Sequence, residues 1–337
     1  MQLFYKTITG DRFISAIIVI LIAVWIWMPA FLSPEISIVS RLEDQMPLYR
    51  LLTMALDGNE LLPKLVAFGL MLFGSFLLVR INAKFVLVQQ KTFLPALFFI
   101  LIASHSPDLL QWNPVLPATL FVILVLEIIF RSYSDEPNTY RFFNAGILLG
   151  LGSLFYAPLI YLLAFIWIAC NLQRPFYWRE YIFPILGFMV PYIFVLAYLF
   201  FGDKNIPEFL VTVKSNFIFE FRFPQYHWTY WILAIYLGLL VLISGGYLLK
   251  VFQFRKKYIR DYFKALIWLL FINLLVFMFL SGFDTGINYL LAISVSFIFT
   301  NYFINARKSI GNKVLLYLLL GYVVFLALNN MVGWLGN

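Results

Sequence analysis

Eleven runs of apolar residues alternate with short polar stretches along the chain. The long runs approach the ~20 residues that an α-helix needs to cross a bilayer, and the shorter ones suit helices held inside a bundle. The first run is too long for the core of a typical signal peptide, so we predict an uncleaved first span. The predicted spans cover residues 13–32, 65–79, 93–103, 115–130, 142–156, 158–170, 181–201, 229–249, 265–280, 287–304 and 314–328.

The composition indicates a membrane protein. Hydrophobic residues make up 63% of the 337 residues, charged residues 12%, and the mean hydropathy is +0.90. A soluble domain carries roughly twice that fraction of charged residues. We therefore predict an all-α polytopic membrane protein in which residues 1–337 form a single integral membrane domain. The net charge of +8 lies in short loops between the runs, so we expect no nucleic-acid partner.

The positions of the positive charges predict the orientation. Loops on the same side as the N-terminus hold 18 of the 24 Lys and Arg residues, and the opposite loops hold six. Lys and Arg accumulate in cytoplasmic loops, so we predict a cytoplasmic N-terminus and an external C-terminus. Ten of the 16 acidic residues then lie outside, and the two long loops, 33–64 and 202–228, are both external.

The first external loop contains an amphipathic pattern that predicts a helix from Pro47 to Leu56. Proline is tolerated in a first helical turn, and Gly58 follows where a helix commonly ends. The pattern predicts one apolar face, opposite a polar face with Arg50, Thr53 and Asp57. The apolar face holds Leu48, Leu51, Leu52, Ala55 and Leu56. Such a helix should lie along the membrane surface. Aromatic and charged residues at 209–228 predict a second interfacial element in the other long loop.

Parts of the chain resemble the GT-C superfamily of membrane glycosyltransferases, which use polyprenyl-phosphate sugar donors. Glu43-Asp44 resembles the acid pair that opens the first external loop of many bacterial members. Met54 and Gly58-Asn59 resemble the Met and Gly-Asp near the end of their surface helix, and FNAGILLGLGSLFYAPLIYLLAFIWI resembles their Gly-rich pair of spans. The resemblance implies a GT-C-like bundle of about eleven spans in a bacterial inner (cytoplasmic) membrane.

The resemblance also implies roles for charged residues of the external loops. Glu43 or Asp44 would act as the general base that takes the proton of an acceptor hydroxyl as it attacks the sugar C1. A guanidinium matches phosphate geometry, so the external arginines are candidates for binding the lipid phosphate. These candidates are Arg41, Arg50 and Arg222. Membrane lipids and the polyprenyl-phosphate-linked sugar are the expected partners, and no cofactor is expected.

The chain departs from the family pattern in its acidic residues. The leading acid of the pair is usually Asp, and here it is Glu43. A second external acid often stands at the start of the fourth span, which corresponds here to about Pro117, with Asp108 the nearest acid. The alternative is a non-catalytic membrane subunit or scaffold that retains the GT-C-like fold. In that case Glu43 and Asp44 are solvated loop acids that cap the helix at Pro47.

Other chemistry has weaker support in the sequence. A transporter would need ionisable groups deep in the membrane, and Glu127, the only acid within a predicted span, lies four residues before Arg131, where we expect an ion pair. His105, Asp108 and His227 have no metal-ligand spacing, and the single cysteine, Cys170, excludes a multi-cysteine site. Residues 141–180 also resemble an uncharacterised polytopic membrane-protein family of Bacteroidota, which implies no chemistry. The pattern names no donor, acceptor or protein partner.

Overall fold

The computed structural model describes residues 13–32, 45–56, 58–59, 61–88, 90–134, 140–173, 178–202, 206–217, 228–280, 284–306 and 310–332. Within these ranges the chain is helical and contains no strand. The α-helices are α1 (Phe13–Leu32), α2 (Pro47–Leu56), α3 (Leu61–Phe85), α4 (Leu94–Ala103), α5 (Val115–Ser134), α6 (Tyr140–Ser153), α7 (Leu163–Gln173), α8 (Trp178–Phe201), α9 (Ile206–Ser215), α10 (Trp228–Val251), α11 (Lys257–Leu275), α12 (Asn288–Asn305) and α13 (Ile310–Val332).

Short non-α elements connect or extend these helices. Three 3₁₀ turns at Pro107–Leu110, Ala157–Leu162 and Thr285–Ile287 precede α5, α7 and α12, and a fourth, Phe252–Phe254, follows α10. A π-helical turn, Val276–Leu280, continues α11. A backbone that leaves the α-helical pattern at membrane depth is tolerated where it is buried in protein.

Eight of the described helices are long and apolar enough to cross a membrane: α1, α3, α5, α8, α10, α11, α12 and α13. The other predicted spans form shorter helices, of 10 residues in α4, 14 in α6 and 11 in α7. Over the described residues the prediction of an all-α protein with multiple helices long and apolar enough to span a membrane is confirmed, and the count of eleven spans stays a prediction. A ten-residue helix is about 15 Å long, half the thickness of the hydrocarbon core.

The core of the bundle is built around α4 and α12. All ten residues of α4 are buried, and α12 is buried along most of its length. The rings of Phe98 in α4 and of Phe299 and Phe303 in α12 lie against one another, with centroids 5.5 and 5.3 Å from that of Phe98. Lipid-exposed surface is left to the long outer helices, such as α8 and α10. The short helix α4 is thus an internal helix, shielded from lipid by its neighbours.

Helices α6 and α8 pack closely because glycines remove the side chains between them. A Cβ built on Gly146 would lie 2.2 Å from the Pro184 carbonyl oxygen. One built on Gly187 would lie 2.1 Å from the Phe143 carbonyl oxygen. Small residues are what allow helix backbones to approach closely in membranes. This pair fixes the position of α8, whose far end forms part of the candidate site.

The ends of the helices define two opposite faces of the bundle. The ends that carry Arg80, Lys84, Arg131, Lys250 and Arg255 make up what we call the basic face. The opposite face, called the α2 face, carries α2, α9 and the turns at 104–113, 154–157 and 284–287. The sequence assigns the basic face to the cytoplasm, and the orientation itself stays a prediction.

Candidate functional site on the α2 face

The structure describes one of the five sequence-predicted site residues. Arg50 is exposed on α2. Glu43 and Asp44, the candidate bases, and Arg41 and Arg222, the other candidate phosphate ligands, lie outside the described residues. The described part of the site is therefore the segment that directly follows Asp44, together with the elements that pack around it.

Aromatic contacts dock α2 onto the bundle. The Tyr49 ring, 1% exposed, stacks on Trp112 with centroids 5.6 Å apart and planes 12° from parallel. The Tyr49 hydroxyl donates to the Trp112 carbonyl oxygen at 3.3 Å, and the Trp112 indole donates to the Thr53 hydroxyl at 3.0 Å. An aromatic stack with satisfied polar ends holds a short helix in one orientation. Helix α2 is thus fixed against the bundle by Tyr49 and Thr53.

This docking corrects the predicted faces of α2. The helix spans Pro47–Leu56 as predicted, but its buried residues are Tyr49, Thr53 and Leu56. Leu51 and Met54 are 61% and 49% exposed. The prediction that Thr53 lies on the outer polar face was wrong because its hydroxyl accepts a hydrogen bond from buried Trp112. Leu51 instead faces outward from the bundle.

The start of α2 is anchored to the turn that follows α6. The Leu48 amide donates to the Leu154 carbonyl oxygen at 3.2 Å. Met46, 2% exposed, packs with Leu154 and Ala157 in a small separate core. The backbone from Met46 onward is therefore held in place within a few residues of Asp44.

A groove of about 480 Å³ opens between α2, α9 and the end of α8. Leu51, Met54, Val195, Leu199 and Phe209 supply apolar walls. The remaining lining residues are Gln45, Pro47, Leu48, Arg50, Tyr198, Glu208 and Thr212. Its volume lies within the range of small-molecule sites, ~300–1,000 Å³. The groove thus joins helices from both long loops.

Two charged side chains of opposite sign line the groove. Arg50 comes from α2 and Glu208 from α9, and both are exposed. They form no ion pair with each other. No described residue forms an ion pair with the Arg50 guanidinium, which can therefore bind an anion, and the apolar walls suit a hydrocarbon chain beside it.

Asp284 is a second acid on the α2 face, in addition to Glu208. Asp284 caps the turn before α12 by accepting the Gly286 amide at 2.9 Å, and the buried Tyr156 hydroxyl lies near its carboxylate but forms no hydrogen bond with the described residues. Burial raises the pKa of the Asp284 carboxyl above its ordinary value, against the lowering effect of the Gly286 amide. Burial, and then the charge of Asp284, raise the pKa of the Tyr156 hydroxyl.

This acid stands beside the start of α5. A Cβ on Gly286 would lie 2.7 Å from a Val115 methyl and 2.8 Å from the Asn113 amide group, so the turn is pressed against these residues. Asn113 in turn caps α5, since its side-chain oxygen accepts the Val115 amide at 2.8 Å. Asp284 is thus brought from the far end of the chain to the start of the fourth predicted span.

The candidate metal ligands are not gathered into a site. Among the described residues, no three His, Cys, Asp or Glu side chains lie close enough to hold a metal ion. His105 Nδ1 lies 2.7 Å from the Ile102 carbonyl oxygen, and burial lowers the pKa of its imidazole, although the carbonyl and Asp108 favour the charged form. His227 lies outside the described residues.

On the basic face, Glu127 forms the predicted ion pair with Arg131, at 2.7 Å, and the prediction is confirmed. The same carboxylate oxygen also accepts Lys84 at 2.8 Å and lies 3.8 Å from Arg80. The Glu127 side chain is 7% exposed and the three cations are 36–60% exposed. The only acid inside a predicted span is thus held in an ion-pair network at the end of α5.

Sequence reasoning missed Glu208, Asp284 and Tyr156. Glu208 had a detectable signal, because it begins a short amphipathic helix in the second long loop. Asp284 and Tyr156 are 128 positions apart, and no local pattern joins them. No family model, no curated protein and no solved structure matches this chain. Its function is therefore argued from the geometry of the α2 face.

Proposed function

We propose that the protein is a GT-C-like membrane glycosyltransferase. It takes a sugar from a polyprenyl-phosphate donor at the groove on the α2 face, which we assign to the outside of a bacterial inner membrane. The observation that carries this proposal is the groove itself. It combines apolar walls, an arginine that forms no ion pair with the described residues, and direct chain connection to an acid pair.

The chain connection is short. Gln45 lines the groove, and Asp44 is the next residue in the sequence, with Glu43 one further. Consecutive Cα atoms are ~3.8 Å apart. Met46 and Leu48 are anchored to the turn after α6, so the chain is held at the groove from two residues after Asp44. General-base catalysis needs a base within hydrogen-bond reach of the proton, and we assign that role to Glu43 or Asp44.

The proposed step uses these groups in defined roles. The acceptor hydroxyl oxygen forms a bond to the sugar C1 while the bond from C1 to the phosphate oxygen breaks. Glu43 or Asp44 takes the hydroxyl proton, and polyprenyl phosphate departs with the electron pair. Arg50 stabilises the negative charge on the leaving phosphate. The prenyl chain lies along Leu51 and Met54, which α2 exposes.

Asp284 takes the place of the second external acid in this proposal. The resemblance places that acid at the start of the fourth span, where this chain has no carboxylate of its own. The 284–287 turn packs against the start of α5 and supplies one from elsewhere in the sequence. A raised pKa makes the Asp284 carboxylate a stronger base than an ordinary aspartate.

Binding of polyprenyl phosphate, the carrier that such a reaction releases, tests the proposal. We expect the purified protein in nanodiscs to bind it, and Arg50→Gln to weaken binding about 10- to 100-fold through loss of charge-assisted hydrogen bonds. Lys214→Gln is the matched control, because Lys214 is exposed on neighbouring α9 but does not line the groove. A non-catalytic subunit predicts no binding, or equal binding by all three proteins, and either result contradicts the proposal.

A further inference from the structure

A guanidinium and an amide meet on the basic face, far from the groove. Arg255, just after the end of α10, donates through Nη2 to the Asn301 side-chain oxygen on α12 at 3.3 Å. Asn305 donates to the same oxygen at 2.9 Å and to the Asn301 carbonyl oxygen at 3.0 Å. Two donors on one oxygen fix the orientation of the Asn301 amide and identify Nδ2 as its donor nitrogen.

Two donor nitrogens in this cluster have no acceptor. Arg255 Nη1 and Asn301 Nδ2 are shielded from solvent, and neither has a hydrogen-bond partner among the described residues. Asn301 is fully buried, and no described carboxylate forms an ion pair with Arg255. A buried donor without a partner destabilises the folded state, and a charged donor does so more strongly. Arg255 and Asn301 are joined by a hydrogen bond, so the two donors without an acceptor belong to one cluster, and an anionic oxygen is the partner that such donors need.

We propose that Arg255 and Asn301 bind the phosphate group of an anionic lipid headgroup or of free phosphate. A phosphate oxygen can accept from Nη1 and Nδ2 together, and its charge supplies the partner that the guanidinium lacks. This site is independent of sugar transfer, because it lies at the opposite face of the bundle from Arg50.

The surroundings of the cluster favour the lipid headgroup. Phe254, the residue before Arg255, is 86% exposed, and an exposed aromatic side chain at the end of a span suits the boundary of headgroups and acyl chains. Lys250, Lys256 and Lys257 are exposed around the same end of α10 and attract anionic lipids. Arg255 lies in this surface segment and is only partly buried, so its side chain reaches from the boundary to Asn301.

Thermal unfolding of delipidated protein in neutral detergent tests the site, with phosphatidylglycerol, phosphatidylcholine or inorganic phosphate added. We expect phosphatidylglycerol to raise the melting temperature of the wild type. Its half-saturating concentration should rise about 10- to 100-fold in Arg255→Gln. Lys250→Gln removes an exposed charge from the same helix end and should change it by no more than about twofold.

Asn301→Asp gives an independent test that does not depend on the folding of Arg255→Gln. The new carboxylate would pair with Arg255 inside the protein, so we expect a higher melting temperature without lipid and loss of the response to phosphatidylglycerol. A response to phosphatidylglycerol alone identifies a lipid site, and a response to inorganic phosphate as well identifies a general phosphate site. Absence of any phosphate-dependent response in the wild type, or an unchanged one in Asn301→Asp, overturns the proposal.

Discussion

Gly187→Ala should separate the helix pair that holds the groove wall in place. The added Cβ would lie 2.1 Å from the Phe143 carbonyl oxygen, whereas Cβ atoms in proteins essentially never approach other atoms within 3.0 Å. The atom in the way is a backbone carbonyl oxygen, which cannot rotate away as the end of a flexible side chain can. Helices α6 and α8 must therefore move apart by about 1 Å, which loosens a densely packed interface.

The expected cost follows from that separation. Overpacking of a close-packed interior lowers the free energy of unfolding by about 1–3 kcal/mol. Separation of the helices also removes the contacts at two further glycines of the same interface. Gly146 and Gly150 face α8 equally closely, with Cβ positions 2.2 and 2.6 Å from its carbonyl oxygens. We therefore expect Gly187→Ala to lower the free energy of unfolding by at least about 2 kcal/mol.

Gly69→Ala is the matched control on another long helix. A Cβ on Gly69 in α3 meets nothing within 4 Å, so this change should be neutral or slightly stabilising through helix propensity. Unfolding of both variants in mixed micelles by increasing SDS, followed by tryptophan fluorescence, measures the difference. Equal stability of Gly187→Ala and Gly69→Ala would refute the close approach of α6 and α8.

Three further predictions concern the docking of α2, the ion pairs of the basic face and the orientation. Thr53→Val leaves the buried Trp112 indole without its acceptor, so SDS unfolding should show a loss of about 1–3 kcal/mol, and unchanged stability would contradict the docking. Glu127→Gln should cost more than the ~1 kcal/mol of an exposed ion pair and less than the ~3–5 kcal/mol of a fully buried one, because only the carboxylate is buried; a neutral result in thermal unfolding would contradict the network. In a Cys170→Ser background, Lys214→Cys should react with a membrane-impermeant maleimide on intact cells, and Lys250→Cys only after permeabilisation; the reverse pattern would contradict the orientation.

Local patterns of apolar and polar residues predicted most of the helices. The runs that predicted α1 and α2 are helical over the described residues Phe13–Leu32 and Pro47–Leu56. The span count is harder, because hydropathy does not distinguish a helix that faces lipid from one that is buried in protein. Helix α4 is as apolar as α1 but only ten residues long and wholly buried. Neighbouring helices shield α4 from lipid, and the sequence of α4 alone does not show that these neighbours surround it.

The site was predicted less completely because its contacts are long-range. The sequence pattern predicted Thr53 on the polar outer face of α2. In the structure Thr53 is buried, and its hydroxyl accepts a hydrogen bond from Trp112, 59 residues later. Asp284 reaches the start of α5 only through the packing of Gly286 against Asn113 and Val115. The position of Arg50 on an exposed face was predicted from the helical period alone, and the structure confirms it.

Loss of sugar transfer in Glu43→Gln with Asp44→Asn tests the central claim most directly. The assay measures release of labelled sugar from polyprenyl-phosphate mannose, used as the donor probe, in proteoliposomes that contain bacterial membrane extract as acceptor. We predict that the wild type transfers the sugar and that the double variant loses ~100- to 10,000-fold in rate while still binding polyprenyl phosphate. The control, Lys214→Gln, should keep the wild-type rate. Transfer at the wild-type rate by the double variant would contradict the account.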